Sequence, residues 1–107
     1  MGVNWNVAPV VDLDCEGDGA TLGTRSLGAD PAAVARMAAE WITACQAEGV
    51  LACAKHFPGA GRAVVATPDA VPVVATDRDT LHAVDLAPFR AAIDANVASM
   101  MTAHAIY

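Results

Sequence analysis

Lys55-His56-Phe57-Pro58-Gly59-Ala60-Gly61-Arg62 follows an apolar run, Val50 to Ala54, that reads as a buried strand. A cation and an imidazole sit together where that strand ends, and a Pro/Gly turn follows. A strand that delivers two polar side chains into a glycine-rich loop is a common way for an α/β enzyme to build a ligand site. The rest of the chain can be placed relative to this point.

Upstream, Val3 to Leu13 reads as a strand, with Val3, Trp5, Val7, Val11 and Leu13 on one face and Pro9 marking a bend. Asp12 and Asp14 lie at its C-terminal end, as polar loop residues or, for Asp12, as a brace for the mouth of a site. Cys15 to Gly28 is a loop rich in Gly, Asp and Thr, and it carries Arg25. A helix starts at Asp30-Pro31, because Asp is a good N-cap and Pro suits the first helical position. Val34, Met37, Ala38, Trp41, Ile42 and Cys45 recur at helical spacing and predict one core-facing stripe. Gly49 is the expected C-terminal stop.

The strand Val50 to His56 is apolar almost without alternation, as expected where both faces of a parallel sheet are covered. Phe57 to Asp77 is a long connection containing Pro58, Pro68 and Pro72. Ordered loops of about 20 residues are uncommon and often functional. The next helix is expected over Thr80 to Ala95, with a restart at Asp85 that would tolerate Pro88. Leu86, Phe89 and Ile93 share a face, and Asn96 can close the helix in a left-handed conformation. Val97 to Thr102 is the third strand, with Ala103-His104 at its end.

The order strand, helix, strand, helix, strand makes two βαβ units, hence three parallel strands with right-handed crossovers. The fold class is α/β. Ligands bind at the C-terminal ends of such strands. Asp12, Lys55, His56 and His104 all fall there, on one rim.

The 107 residues allow one small domain or part of a larger one. Hydrophobic residues make up 55% and charged residues 17%, which excludes a disordered chain and exceeds what a small free-standing domain needs. The surplus points to a piece of a larger core. The net charge is −6 with no basic cluster, so nucleic acid is not an expected partner. No apolar run reaches the length of a membrane span, about 18 residues, and no signal-peptide pattern is visible at Met1. Cys15, Cys45 and Cys53 are odd in number and form no CxxC pair, so neither a disulfide framework nor a metal site is suggested. Cys45 and Cys53 read as small core residues. No GxGxxG or phosphate loop implies a nucleotide, and no cofactor is expected.

Asn4 to Asp12, then Arg25-Ser26-Leu27-Gly28, Asp30-Pro31, Lys55 to Gly59, Asp85 to Phe89 and Met101 to His104 together resemble the N-terminal domain of glycoside hydrolase family 3. Within the family they are most similar to the β-N-acetylglucosaminidase (β-hexosaminidase) branch. The resemblance implies a fragment of a (β/α)8 TIM barrel, with residues 1–107 covering its middle and both ends missing. It implies a retaining hydrolase of terminal N-acetylglucosamine in glycans such as peptidoglycan fragments, with Arg25, Lys55 and His56 binding the amino sugar. Arginine and lysine can donate several hydrogen bonds to sugar oxygens, and histidine can donate or accept.

Retaining chemistry needs a carboxylate nucleophile and a separate acid/base. Carried over by position, the branch's loop aspartate and histidine fall on Ala66 and Pro68, and its second loop histidine on Ala60. None of these can transfer a proton. The resemblance puts the nucleophile beyond Tyr107, so no catalytic residue is assigned and the chain alone is expected to be inactive. Asp69 is the nearest loop carboxyl and could donate a proton if desolvated. The alternatives are a non-catalytic amino-sugar-binding module and a small α/β protein of unrelated function. Exposed strand edges would favour self-association. The compartment is undetermined.

Overall fold

The computed structural model describes residues 2–15, 22–67 and 69–107. Its elements are β1 (Trp5–Asn6), a 3₁₀ turn (Gly23–Arg25), α1 (Pro31–Ala47), β2 (Leu51–Phe57), α2 (Arg78–Thr80), a π turn (Leu81–Asp85), α3 (Ala87–Asp94) and β3 (Ser99–Thr102). The three strands are parallel in the order β1-β2-β3. Sequential neighbours, with α1 and α3 packed on each other and on the same strand, are the arrangement of consecutive units of a (β/α)8 barrel.

The expected first strand is much shorter than Val3 to Leu13. Ladder pairing stops after Asn6 and Pro9 has no N–H to give, yet the segment stays tied to β2. Cys53 N–H donates to Ala8, Lys55 N–H to Pro9, and Val11 N–H back to Lys55. Apolar alternation fails with it: Val3 and Trp5 are exposed, while the neighbours Val10 and Val11 are both buried.

α1 begins as the sequence indicates. Asp30 accepts from Ala32 N–H, Pro31 is the first helical residue, and Gly49 follows the end with a positive φ of 76°. Only Val34, Ala38 and Ile42 of the expected stripe are buried; Met37 and Trp41 lie on an exposed flank. The core is formed by Val11, Ala38, Ile42, Ala52, Ala54, Phe89 and Ala92, between the helices and one face of the sheet. Small residues on β2 let α1 and α3 approach closely. Burial of the β2 residues Ala52, Cys53 and Ala54 in succession explains the lack of alternation there.

The second crossover differs from a single helix over Thr80 to Ala95. Asp77, not Thr80, caps α2, accepting from the Thr80 N–H and hydroxyl at 2.8 and 2.7 Å. The Thr80 side-chain bond, helped by its backbone bond, holds the Asp77 carboxyl below its usual range. Pro88 cannot donate to the preceding turn, and the chain passes it through the wide turn Leu81–Asp85, with Leu86 N–H reaching Leu81 carbonyl at 2.9 Å. Asp85 is not a cap: it is buried within that turn. Phe89 is in the core, whereas Ile93 is exposed and Ala92 takes the inward position. Asn96 has the expected left-handed conformation, with φ 56°.

Ala52, Ala54 and Met100 face the helices, so strand alternation turns Leu51, Cys53, Lys55, Ser99 and Met101 to the opposite face. Trp5 Nε1–H spans β2 there to reach Ser99 Oγ at 3.0 Å. Trp5, Leu51 and Met101 are left exposed on the face that would line a barrel interior.

Candidate functional site

The C-terminal ends of the strands meet at the Gly59–Arg62 turn. Asp12 is 1% exposed. Its carboxylate accepts from His56 N–H at 3.1 Å, from Ala60 N–H at 2.8 Å and from His56 Nδ1 at 2.6 Å. Both carboxylate oxygens are engaged as acceptors, so Nδ1 carries the proton and Nε2 is the ring nitrogen left for a ligand. A buried carboxylate needs such partners to remain charged.

Two glycines let the turn close. At Gly61 a methyl group would lie 1.7 Å from the Leu13 carbonyl oxygen, so only glycine fits against that backbone. Gly59 has φ 125° and packs on Asp85 and Phe89. Tyr107 Oη donates to Gly59 carbonyl at 3.1 Å. Burial, then the charges of Asp12 and Asp85, push the Tyr107 phenol up to about 12.

Behind the turn, Arg62 Nε donates to both Asp85 oxygens at 3.1 Å. Desolvation lowers the Arg62 pKa, but the hydrogen bond and charge of Asp85 outweigh it and the net shift is upward. Neither Arg62 nor Tyr107 stands out in the sequence, and Asp85 looks like a helix cap because Pro88 follows it closely. The one available signal was Asp85 itself, a charge between Val84 and Leu86 in an otherwise apolar stretch.

A hollow of about 140 Å³ opens in front of the turn, lined by Arg25, His56 and His104 among small apolar residues including Leu22, Ala63 and Pro72. The long loop frames it: Val64 pairs with Val73, and the Pro72–Val74 stretch pairs with Ile106. Arg25 stands on its 3₁₀ turn, with Nε donating to Leu22 carbonyl at 3.1 Å. Asp14 N–H to Gly28 carbonyl, at 2.9 Å, tethers that loop to the end of the first segment. Lys55 is not in this hollow. It lines a second one of about 310 Å³ at the open edge of β1, with Pro9, Leu27, Trp41 and again Arg25. Arg25 therefore bridges the two, and the expected trio is divided between them.

Asp12 supports His56 from behind and does not line either hollow. Ala66 and Asp69 are exposed on the loop and line neither hollow. Pro68, the other carried-over position, lies outside the described residues, as do residues 16–21 of the Arg25 loop. Among the described residues no cluster of His, Cys, Asp or Glu could hold a metal ion, and no helix is long and apolar enough to cross a membrane. Cys53 is buried as expected, while Cys45 is half-buried, its thiol 3.4 Å from Val50 carbonyl.

The site thus combines a parallel β/α run, a Lys-His pair on the central strand, a glycine turn and an arginine opposite. The sequence model of the glycosyl hydrolase family 3 N-terminal domain matches residues 1–107, and the chain belongs to that family. It is 40% identical to a β-hexosaminidase of Thiobacillus denitrificans over 99% of its own length and 29% of the relative's. It is 40% identical to a β-N-acetylglucosaminidase/β-glucosidase of Cellulomonas fimi, covering 18% of that protein. Among solved structures, NagZ from Neisseria gonorrhoeae in complex with N-trifluoroacetyl-D-glucosamine superposes with a TM-score of 0.89 at 38% identity, over 99% of this chain and 31% of that one. A family 3 β-N-acetylglucosaminidase from Paenibacillus gives a TM-score of 0.91 at 39% identity, over 98% of this chain and 20% of that one. The chain thus spans less than a third of the length of these relatives.

Proposed function

We propose that residues 1–107 form part of the barrel domain of a β-N-acetylhexosaminidase and hold a terminal N-acetylglucosamine without hydrolysing its glycosidic bond. The observation that carries this reading is the hollow before Gly59–Arg62, where Arg25, His56 and His104 converge and buried Asp12 fixes the His56 ring. Guanidinium and imidazole groups suit the hydroxyls and carbonyl of an amino sugar. A relative solved with an N-acylated glucosamine supports the same class of ligand.

The absence of turnover rests on the residues themselves. Retaining hydrolysis uses two proton-transferring or nucleophilic groups beside the sugar. No carboxylate lines either hollow among the described residues, and Ala66 carries nothing ionisable. The purified chain should release no 4-nitrophenol from 4-nitrophenyl N-acetyl-β-glucosaminide above the buffer rate. Steady release by the wild type that His56→Ala abolishes would refute the non-catalytic reading.

A further inference from the structure

We infer that Arg62 is a positioning residue: through Asp85 it fastens the Gly59–Arg62 turn to the second crossover and so fixes His56 towards the sugar hollow. The inference rests on the proposed amino-sugar site. Every residue of the turn has its own anchor. Gly59 packs on Asp85 and accepts from Tyr107, Ala60 donates to Asp12, Gly61 lies on the Leu13 backbone, and Arg62 pairs with Asp85. Three of these anchors join the turn to the segment after β1 or to the segment after β3. Among the described residues, the Arg62–Asp85 ion pair is the one polar bond that joins it to the helical crossover, beside the packing of Gly59 on Asp85 and Phe89.

Asp85 is 5% exposed, and apart from the weak 4.0 Å approach of Cys15 Sγ its carboxylate faces Arg62. A buried carboxylate that loses its cation must take up a proton or move towards water. In either case Arg62 no longer holds its end of the turn, and a shift of Asp85 would reach Gly59, where an added methyl group would lie 3.3 Å from the Asp85 Cβ. His56 lies three residues before Gly59, and its carbonyl accepts from the Gly59 N–H at 2.8 Å, so movement of the turn reaches the imidazole directly. Arg62 lines neither hollow. Its effect on a ligand must therefore pass through the turn, whose neighbours His56, Ala60 and Ala63 line the sugar hollow.

The test uses the whole chain with Arg62→Met and Arg62→Lys, read by NMR. The His56 ring resonance and the exchange of the Ala60 amide report the turn, core amides of Val34 and Ile42 report the fold, and titration with N-acetylglucosamine reports the site. In Arg62→Met the core amides should stay protected, Ala60 exchange should quicken, the His56 resonance should shift or broaden, and affinity should fall about tenfold. Arg62→Lys, which keeps the cation, should recover most of each. An unchanged His56 resonance and unchanged Ala60 exchange in Arg62→Met overturn the inference, whatever the sugar does. If the wild type takes no N-acetylglucosamine, the functional reading falls, while the His56 and Ala60 signals still decide the clamp. Should Arg62→Met not fold, Arg62→Met/Asp85→Leu removes the buried charge along with its partner. That variant should fold with the same altered His56 signal, and a wild-type signal in it overturns the inference.

Discussion

Among the described glycines, Gly61 carries the tightest constraint. Its missing side chain lets the turn lie on the Leu13 carbonyl, and the atom in the way is backbone, which cannot swing aside. Gly61→Ala should cost about 3 kcal/mol and lower the melting temperature by more than about 10 °C, measured by calorimetry. A wild-type melt would mean that the turn does not approach Leu13. Tyr107 gives a second residue-scale expectation. Its phenol is raised to about 12 from an ordinary value of 10.0 by burial and by Asp12 and Asp85, so the folded state favours the neutral form. That contribution is complete below pH 10 and is lost as pH rises towards 12. Denaturant midpoints should therefore drop further between pH 8 and pH 11 in the wild type than in Tyr107→Phe; equal drops would contradict the assignment. Asp12, Lys55, His56 and His104 could be picked out in the sequence because each falls at or near the end of an expected strand. Arg62, Asp85 and Tyr107 could not, because their partners lie far away along the chain and no local pattern predicts an ion pair across a turn.

At the scale of elements, the ends of α1 were readable, whereas the Asp77 cap and the irregular pairing were not. Asp30-Pro31 and Gly49 bound α1 because their chemistry is local to the helix ends. Asp30→Ala should cost about 1 kcal/mol by removing the acceptor for Ala32 N–H, as read from denaturant unfolding; no loss would show that the bond contributes nothing. The first strand and the second crossover differ from their expected forms for one shared reason. Pro9 and Pro88 remove donors, and the chain answers with a broken ladder at one and a wide turn at the other. The apolar spacing of Met37 and Trp41 fits a core stripe, but spacing alone cannot separate the centre of a helix face from its margin. Trp41 stands instead beside Lys55 at the open edge of β1.

For the molecule as a whole, the α/β class and the parallel order followed from the alternation of elements, since βαβ connections leave little choice of hand or direction. Trp5, Leu51 and Met101 are exposed on one face of the sheet, although the unbroken apolar run of the middle strand suggested cover on both faces. With two strand edges beside it, that face should make the isolated chain associate, and its sedimentation coefficient should rise with concentration. A single monomeric boundary at all concentrations would contradict this. The division of Lys55 from His56 between two hollows was not legible, because adjacent strand residues point to opposite faces and the sequence does not say which face carries the ligand. The central claim remains that His56, braced by Asp12, holds an amino sugar with Arg25. The most direct test is calorimetric titration of N-acetylglucosamine into the wild type and His56→Ala. Saturable binding by the wild type, weakened at least tenfold in His56→Ala, is predicted, the size being about that of one lost hydrogen bond to a ligand. Equal binding by the two proteins, or none by the wild type, would contradict the account.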